Sequence, residues 1–350
     1  MLYTYPKFNS HISFRLNRNI IYFFVKLRQV NSNTVLNFND YFSKDFAKFI
    51  SNNKQATLRQ LFTIFFDTFK VLPQIDRNDV ISKFFSAQRI ETILDDNTIN
   101  CTDYLLGNLP ISLRVPSRNL FEYLFTTTIN SYGKIKEHYK LIFDSIESNI
   151  CPFCGIELLN NPSIIRQDYD HLMKQSTYVF TSVNMANLAP TGTECNRINK
   201  QAIDSVYHNG TRSVFNSPYI RNYNIRISLI GSTPPTTIDG NGNWIINISP
   251  NNDYTRQWAY VYNIKTRYTD NVLQKFYKNW LKQLKVYLEN RNLTPIDVNT
   301  LENELLSESN TLINNPTTSL ANVIKGAFFE FLAQHQDIAY KTSIINYINN

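Results

Sequence analysis

Three cysteines in the middle of the chain have the spacing of a metal site. Cys151 and Cys154 form a C-x-x-C pair, which places two thiolates on one tight turn, and Cys195 follows downstream. Thiolates arranged in this way suit a tetrahedral Zn²⁺ ion, so the sequence predicts a structural zinc site with these three ligands. The alternative interpretation is that no zinc binds and that the cysteines are small residues of the core.

A tetrahedral site needs a fourth ligand, and the sequence leaves its identity open. The downstream pair that would match Cys151 and Cys154 has Gly192 in place of its first cysteine. The remaining candidates are Cys101, His208 or a carboxylate. In a chain of 350 residues, four cysteines do not make a disulfide framework, so the short spacing of the first pair indicates metal instead.

An acidic residue and a histidine, Asp170 and His171, lie next to each other between these cysteines. Hydrolysis of a phosphodiester needs a base that activates water and a cation that stabilises the leaving oxygen. If the pair ends a strand, the two side chains point to opposite faces, so the carboxylate can hold a metal while the imidazole faces the water. A neutral histidine titrates near the working pH, which suits a general base. The alternative is a surface pair without a chemical role.

The order of the motifs around this pair resembles that of the HNH endonuclease family. The motifs are CPFCG from residue 151, DYDH from 168, NLAP from 187 and CNRINK from 195. The segment from 168 to 180 is similar to the form D-x-D-H-x-x-P-K-x-x-Y-P-F of the Septu and retron-associated anti-phage proteins, with Tyr178 and Phe180 at matching positions. Residues 257–268 also resemble a downstream feature of those proteins.

The resemblance implies a fold and a role for each polar residue near the pair. In that family a β-hairpin followed by a helix holds one divalent cation. His171 would be the general base, and Asn187 would brace the loop between the strands and orient it. Asp170 and Asn196 would hold a catalytic Mg²⁺ or Mn²⁺ ion, and the three cysteines would form a zinc-stapled base. The implied activity is cleavage of DNA in anti-phage defence or restriction.

Basic residues near the site would contact the phosphates: Lys200, Lys174 and Arg197. Some positions depart from the family pattern. Lys200 lies one residue later than in the commonest spacing, Asn196 replaces the histidine of the name-giving motif, and Gly192 stands where many members have a zinc-ligating cysteine. The alternatives are therefore an RNase or tRNase of the same fold, and a zinc-stabilised nucleic-acid-binding protein with a degenerate site.

The composition of the chain favours a folded protein with a polyanionic partner. The 35 Lys and Arg residues outnumber 28 Asp and Glu, and the formal net charge is +7, which agrees with DNA or RNA as a partner. The apolar run 20–25 is too short to span a bilayer and lacks a signal cleavage site, so we expect a cytoplasmic protein without a membrane partner. The sequence has no Walker-type phosphate loop, so an ATPase of the same defence system would be a separate subunit.

The elements that position these residues are predicted from periodicity. We expect an α+β chain that is mainly helical, with a helical N-terminal region over 1–149, the zinc-stapled ββα-metal module over 150–215, and a β-hairpin plus a helical C-terminal region over 216–350. Alternating residues over 224–230 and 244–248, with a turn from Asp239 to Gly242, predict that hairpin. Apolar faces at helical spacing are formed by Phe42, Phe46 and Phe49, by Leu58, Leu61, Phe62, Phe65 and Phe69, and by Phe276, Trp280, Leu284 and Leu288.

Overall fold

The computed structural model of the chain describes residues 2–220, 224–235, 237–238 and 240–350. It is 57% helical with small antiparallel sheets, which confirms the expected mainly helical α+β class. The α-helices are α1 Ile12–Leu27, α2 Phe38–Tyr41, α3 Lys44–Ser51, α4 Ala56–Lys70, α5 Gln74–Ala87, α6 Ile90–Asp95, α7 Ile111–Tyr123, α8 Ile129–Ser131, α9 Ile135–Ser145, α10 Asp253–Val261, α11 Ile264–Thr266, α12 Gln274–Asn290, α13 Val298–Asn314, α14 Asn322–Gln334 and α15 Ile338–Asn349. Wider π-helical segments cover Leu124–Thr128, Glu194–Lys200 and Arg267–Leu273.

The strands of the described residues pair into short antiparallel hairpins. They are β1 (Tyr169–His171) with β2 (Leu188–Pro190), β3 (Tyr207–His208) with β4 (Thr211–Arg212), and β5 (Arg226–Ser228) with β6 (Asn247–Ser249). The π-helical segment Glu194–Lys200 begins soon after β2 ends. A hairpin followed by a short helix therefore occupies the middle of the chain.

The helices of the N-terminal region pack through phenylalanine side chains. On α4, Leu58, Phe62, Phe65 and Phe69 are buried on one face, as the spacing predicts. The stripe that begins at Phe42 is interrupted, because that residue has extended backbone angles after α2. The helix restarts at α3, where Ser43 accepts a hydrogen bond from the Phe46 N–H and so caps the new helix.

The C-terminal helices differ from the prediction at one aromatic residue. On α12 the buried face contains Tyr277, Trp280, Leu284 and Leu288, whereas Phe276 is 45% exposed. A spacing of four residues advances about 40° beyond a full helical turn at each step, so a row of four such residues drifts off one face. Tyr277 therefore takes the inward position that was expected for Phe276.

The predicted hairpin after the module is present, with shorter strands than expected. Ile227 of β5 pairs with Ile248 of β6, and an isolated bridge joins Thr233 to Asn243 farther along the two arms. Asp239, the first residue of the predicted turn, lies outside the described residues. Within the described residues, each helix is too short or too polar to cross a membrane.

The β1–β2 hairpin lies between two clusters of buried hydrophobic side chains. Tyr169 and Leu188 belong to the cluster formed mainly by the N-terminal helices. Ala189, next to Leu188, belongs to the cluster that contains the cysteines and the C-terminal helices. Phe180, in the connection between the strands, packs against the N-terminal aromatics, with its ring centroid 5.3 Å from that of Phe121. Because side chains alternate along a strand, the hairpin presents one face to each cluster.

Candidate functional site

Asp170 and His171 lie side by side on β1, which pairs with β2, and their side chains meet different partners. The Asp170 carboxylate contacts Lys200 and Tyr262. The His171 ring lies against Phe125, with 4.2 Å between the ring centroids. The two functional groups thus diverge, which is the arrangement expected of neighbours on a strand.

The His171 imidazole is held in one tautomer by the backbone. Its Nε2 is 3.0 Å from the carbonyl oxygen of Ser182, which can only accept, so Nε2 carries the proton. The residue is 9% exposed. Nδ1 makes no hydrogen bond with the described residues, and it is not among the unpartnered side-chain atoms that are fully buried. Burial lowers the pKa of His171 to about 3, and the charge of Lys200 adds to that shift.

Asn187 ties together the connection between the two strands. Its Oδ1 accepts a hydrogen bond from the Met173 N–H at 2.6 Å, and its Nδ2 donates to the hydroxyl of Thr181 at 2.9 Å. The side chain is fully buried. Because Thr181 precedes Ser182, these bonds fix the carbonyl group that holds His171. Asn187 therefore acts on the histidine through the backbone and does not touch the ring.

Asp170 is part of a buried ion pair that the sequence reasoning did not anticipate. Its Oδ1 is 2.8 Å from the Lys200 Nζ, and both side chains are nearly inaccessible to solvent. Lys200 also donates to the carbonyl of His171 at 2.7 Å, and the Tyr262 hydroxyl donates to Asp170 Oδ2 at 3.3 Å. Burial raises the pKa of Asp170, and Lys200 opposes that shift.

This position of Lys200 does not support the predicted phosphate contact, because the side chain is 2% exposed and its ammonium group already donates to Asp170 and to the His171 carbonyl. The cause is the wide turn of the segment Glu194–Lys200. The Gln201 N–H donates to the Asn196 carbonyl, five residues earlier, at 2.9 Å. A π turn holds one more residue than an α turn. The later position of Lys200 in the sequence therefore still brings its side chain to Asp170.

The other predicted polar residues lie closer to the surface. The Asn196 side chain is half-buried, and it makes no hydrogen bond with the described residues. Arg197 is exposed and its Nε donates to Asp168 at 2.8 Å. Lys174 is half-buried at the start of the connection between β1 and β2. Lys174 and Arg197 are therefore still accessible to a ligand, although Arg197 already has an acidic partner.

The three predicted zinc ligands converge with a carboxylate. Cys151, Cys154, Glu157 and Cys195 each offer a ligand atom, and these atoms lie within 4.8 Å of one another, so the cluster could bind a metal ion. We call these four residues the cysteine cluster. Of the open candidates for the fourth ligand, a carboxylate is therefore the one that the structure places there.

The other two candidates lie elsewhere and have other partners. The Cys101 Sγ is directed at the carbonyl of Ile99, 3.7 Å away. The ring of His208 packs against Tyr260, with a centroid distance of 4.1 Å. Sequence reasoning did not single out Glu157, which lies three residues after Cys154.

The segment 257–268, which the sequence resemblance had marked, contacts both groups of residues. Tyr262 reaches Asp170, as described above. Arg267 Nη1 donates to the Cys195 Sγ at 3.1 Å, and Tyr268 donates from its hydroxyl to the carbonyl of Cys154 at 2.8 Å. Sequence reasoning had assigned no role to these residues individually.

The chemistry of the site is inferred from its own residues. Protein-family models, curated proteins and solved structures give no match to this chain.

Proposed function

We propose that this protein is a metal-dependent endonuclease of the HNH type that hydrolyses phosphodiester bonds of DNA. The observation that carries the proposal is the state of His171. Its Nε2–H is held by the Ser182 carbonyl, and its unprotonated Nδ1 makes no hydrogen bond with the described residues. A fixed, neutral imidazole with its acceptor nitrogen open can take a proton from an attacking water molecule.

The low pKa of His171 affects how the base would work. A pKa of about 3 keeps the ring neutral at neutral pH but makes it a weak base in the free protein. A phosphate group beside the ring favours the imidazolium form through its negative charge. Binding of the substrate therefore raises the basicity of His171 at the moment when a proton must be accepted.

Asp170 and Asn196 offer oxygen donors of the kind that a hard cation prefers. The Asp170 carboxylate accepts two hydrogen bonds and has further lone pairs, and the Asn196 amide has no partner among the described residues. These two residues would hold Mg²⁺ or Mn²⁺, which prefer oxygen ligands. Such an ion supplies positive charge to the scissile phosphate and the leaving oxygen. Lys200 stabilises the ionised form of Asp170 before the ion arrives.

The biological setting that goes with this proposal is anti-phage defence or restriction in the cytoplasm. A separate ATPase or another subunit of the defence system is the proposed protein partner. Zn²⁺ in the cysteine cluster is proposed as a structural ion that joins the C-x-x-C turn to the helix after the hairpin.

Cleavage of defined substrates tests the proposal. Purified protein is incubated with duplex DNA, single-stranded DNA or RNA while Mg²⁺ or Mn²⁺ is titrated. Titration is preferable to EDTA, because a chelator also removes zinc from the cysteine cluster. We expect DNA cleavage that depends on the added ion and falls by about 100-fold or more in His171→Ala. His335→Ala, a histidine at the end of α14, is the matched control.

Equal cleavage by the wild type and His171→Ala, at equal zinc content, would contradict the proposal. A preference for RNA over DNA would keep the chemistry and change the substrate.

A second function is favoured by the Asp170–Lys200 ion pair, which already neutralises the carboxylate. In that case the protein is a zinc-stabilised nucleic-acid-binding protein without catalysis. Binding of DNA or RNA with no cleavage at any concentration of Mg²⁺ or Mn²⁺ would identify this function.

A further inference from the structure

The carboxylate of Glu157 occupies the space that a side chain at position 192 would need. A Cβ atom added to Gly192 would lie 2.1 Å from Oε2 and 2.3 Å from Cδ of Glu157. Atoms that are not bonded cannot approach so closely. The present position of Glu157 and any side chain at 192 therefore exclude each other. The backbone of Gly192 also lies at the cluster, because its N–H donates to the Cys151 Sγ at 3.4 Å.

We propose that Glu157 is the fourth ligand of a single Zn²⁺ held by Cys151, Cys154 and Cys195, in place of a thiolate from position 192. This inference is independent of the proposed nuclease activity. A Zn–S distance of about 2.3 Å in a tetrahedral site separates two sulfurs by about 3.8 Å. The Sγ atoms of Cys151 and Cys195 are 3.9 Å apart. These two sulfurs are thus spaced as ligands of one ion, and the ligand atoms of all four residues lie within 4.8 Å of one another.

The two oxygens of Glu157 have different surroundings. Oε1 accepts a hydrogen bond of 2.9 Å from the Glu194 N–H at the start of the helix. Oε2 accepts only a long bond of 3.4 Å from the Cys195 N–H. Oε2 is therefore the atom assigned to zinc, while Oε1 caps the helix. One side chain links the C-x-x-C turn, the ion and the segment Glu194–Lys200.

Arg267 supplies the positive charge that such a site needs. Three thiolates and a carboxylate outweigh the charge of one Zn²⁺ ion, and a buried excess charge is costly unless it is paired. The Arg267 side chain is 3% exposed, and its Nη2 lies 3.9 Å from Glu157 Oε2. Its Nη1 donates to the Cys195 Sγ at 3.1 Å. The guanidinium therefore contacts ligands from both parts of the cluster.

Measuring the zinc affinity of the full chain tells whether Glu157 is a zinc ligand or only caps the helix. Zinc content is measured by elemental analysis, and affinity by competition with a zinc-binding dye. Glu157→Gln keeps an oxygen that can cap the helix but is a poorer zinc ligand. We expect Glu157→Gln and Glu157→Ala to weaken zinc binding by more than the roughly 10- to 100-fold typical of an outer-sphere partner. Glu147→Ala, which removes an exposed carboxylate just before the C-x-x-C turn, is the matched control and should bind zinc like the wild type. Wild-type affinity in Glu157→Gln would reduce the role of Glu157 to a cap.

A pair of substitutions at positions 157 and 192 tests whether a thiolate at 192 can take the place of the Glu157 carboxylate. In Gly192→Cys alone the Glu157 carboxylate must move aside, because the new Cβ would meet its oxygens. Adding Glu157→Ala to Gly192→Cys should restore zinc affinity to at least the wild-type level. After Co²⁺ replaces zinc, the thiolate-to-cobalt absorption band of the double variant should be stronger than that of the wild type. A double variant that binds zinc no better than Glu157→Ala would overturn the proposal.

Discussion

The two ends of one short helix contribute to two buried groups of polar side chains, the cysteine cluster and the Asp170–Lys200 ion pair, which differ in composition. At the start of the segment Glu194–Lys200, Cys195 joins the cysteine cluster, whose potential ligands are all acidic or thiol groups. At its end, Lys200 brings an ammonium group directly to Asp170. The first group gathers three thiols and a carboxylate that could bind a metal ion. The second group contains its own cation.

This difference indicates how each site would interact with a metal ion from solution. The cysteine cluster could bind a metal ion, and the guanidinium of Arg267 lies against it. The Asp170–Lys200 pair is already balanced, so a divalent ion there must compete with an ammonium group. We therefore expect the cluster to govern folding and the pair to govern how strongly Mg²⁺ or Mn²⁺ binds. The predictions that follow test this division.

The largest effect is expected from removal of a cluster thiol. Cys195→Ala should release zinc and lower the free energy of unfolding on the order of 5 kcal/mol, since structural zinc contributes about 10 kcal/mol or more to folding of small domains. Cys101→Ala is the control, because that cysteine is equally buried but lies outside the cluster. Thermal unfolding followed with zinc analysis measures both. Equal melting temperatures for the two variants would contradict a structural zinc site.

Removal of the ammonium group should come next in size. Lys200→Met leaves the Asp170 carboxylate buried without its counter-charge, at a cost of about 3–5 kcal/mol. Adding Asp170→Asn should recover much of that loss, because no unpaired charge remains. Added Mg²⁺ should raise the melting temperature of Lys200→Met more than that of the wild type. If Mg²⁺ stabilises neither protein, Asp170 is not a cation ligand.

Acid sensitivity arises in part from a histidine that belongs to neither site. His138 is 1% exposed, its Nδ1 is bonded to the Tyr169 hydroxyl at 2.7 Å, and its Nε2 has no partner among the described residues. Burial lowers the pKa of His138 from 6.5 to about 3, with His11 adding to that shift. The unfolded chain therefore takes up a proton below pH 6.5 that the folded chain refuses, so stability is lost as the pH falls from that value towards 3.

This effect predicts a difference between two pH profiles. At pH 5 the loss from His138 amounts to about 2 kcal/mol, from about 1.4 kcal/mol per pH unit. His138→Gln should lack this part of the acid sensitivity. Chemical denaturation of both proteins from pH 5 to 8 gives the comparison. Parallel profiles would place the acid sensitivity elsewhere, for example in the thiolates of the cysteine cluster.

The smallest effect is expected at the hydroxyl that supports Asp170. Tyr262→Phe removes one long hydrogen bond, so the free energy of unfolding should fall by about 1 kcal/mol. The fold should persist, because the ring still packs in the core. Equilibrium denaturation measures the change. A loss as large as that of Lys200→Met would mean that Tyr262 is as important as the ammonium group for the ionised carboxylate.

Much of the fold follows from local patterns in the sequence. The face of α4 was predictable, because Leu58, Phe62, Phe65 and Phe69 recur at helical intervals. The cysteine cluster was predictable in part, since a C-x-x-C pair constrains its own geometry. Glu157 was not identified, because a single carboxylate near a cysteine pair has no distinctive spacing.

The partner of Asp170 could not be read from the sequence for another reason. The distance along the chain from Asn196 to Lys200 suggests an ordinary α-turn. In such a turn Lys200 would lie one residue too late to reach the site. The π turn changes the direction of that side chain, and no residue type reports a π turn in advance. Tyr262 was equally hidden, since its contact with Asp170 joins residues far apart in the chain.

The hairpin between the two hydrophobic clusters has a practical consequence for producing the protein in pieces. A fragment beginning at residue 150 would lose the N-terminal aromatics that cover Phe180, including Phe121, 5.3 Å away. It would also expose Tyr169 and Leu188, which pack in the cluster formed mainly by the N-terminal helices. Bare apolar surface of this kind promotes aggregation. The helices before residue 150 thus cover one face of the hairpin. A truncated protein should keep the helices that pack on each face.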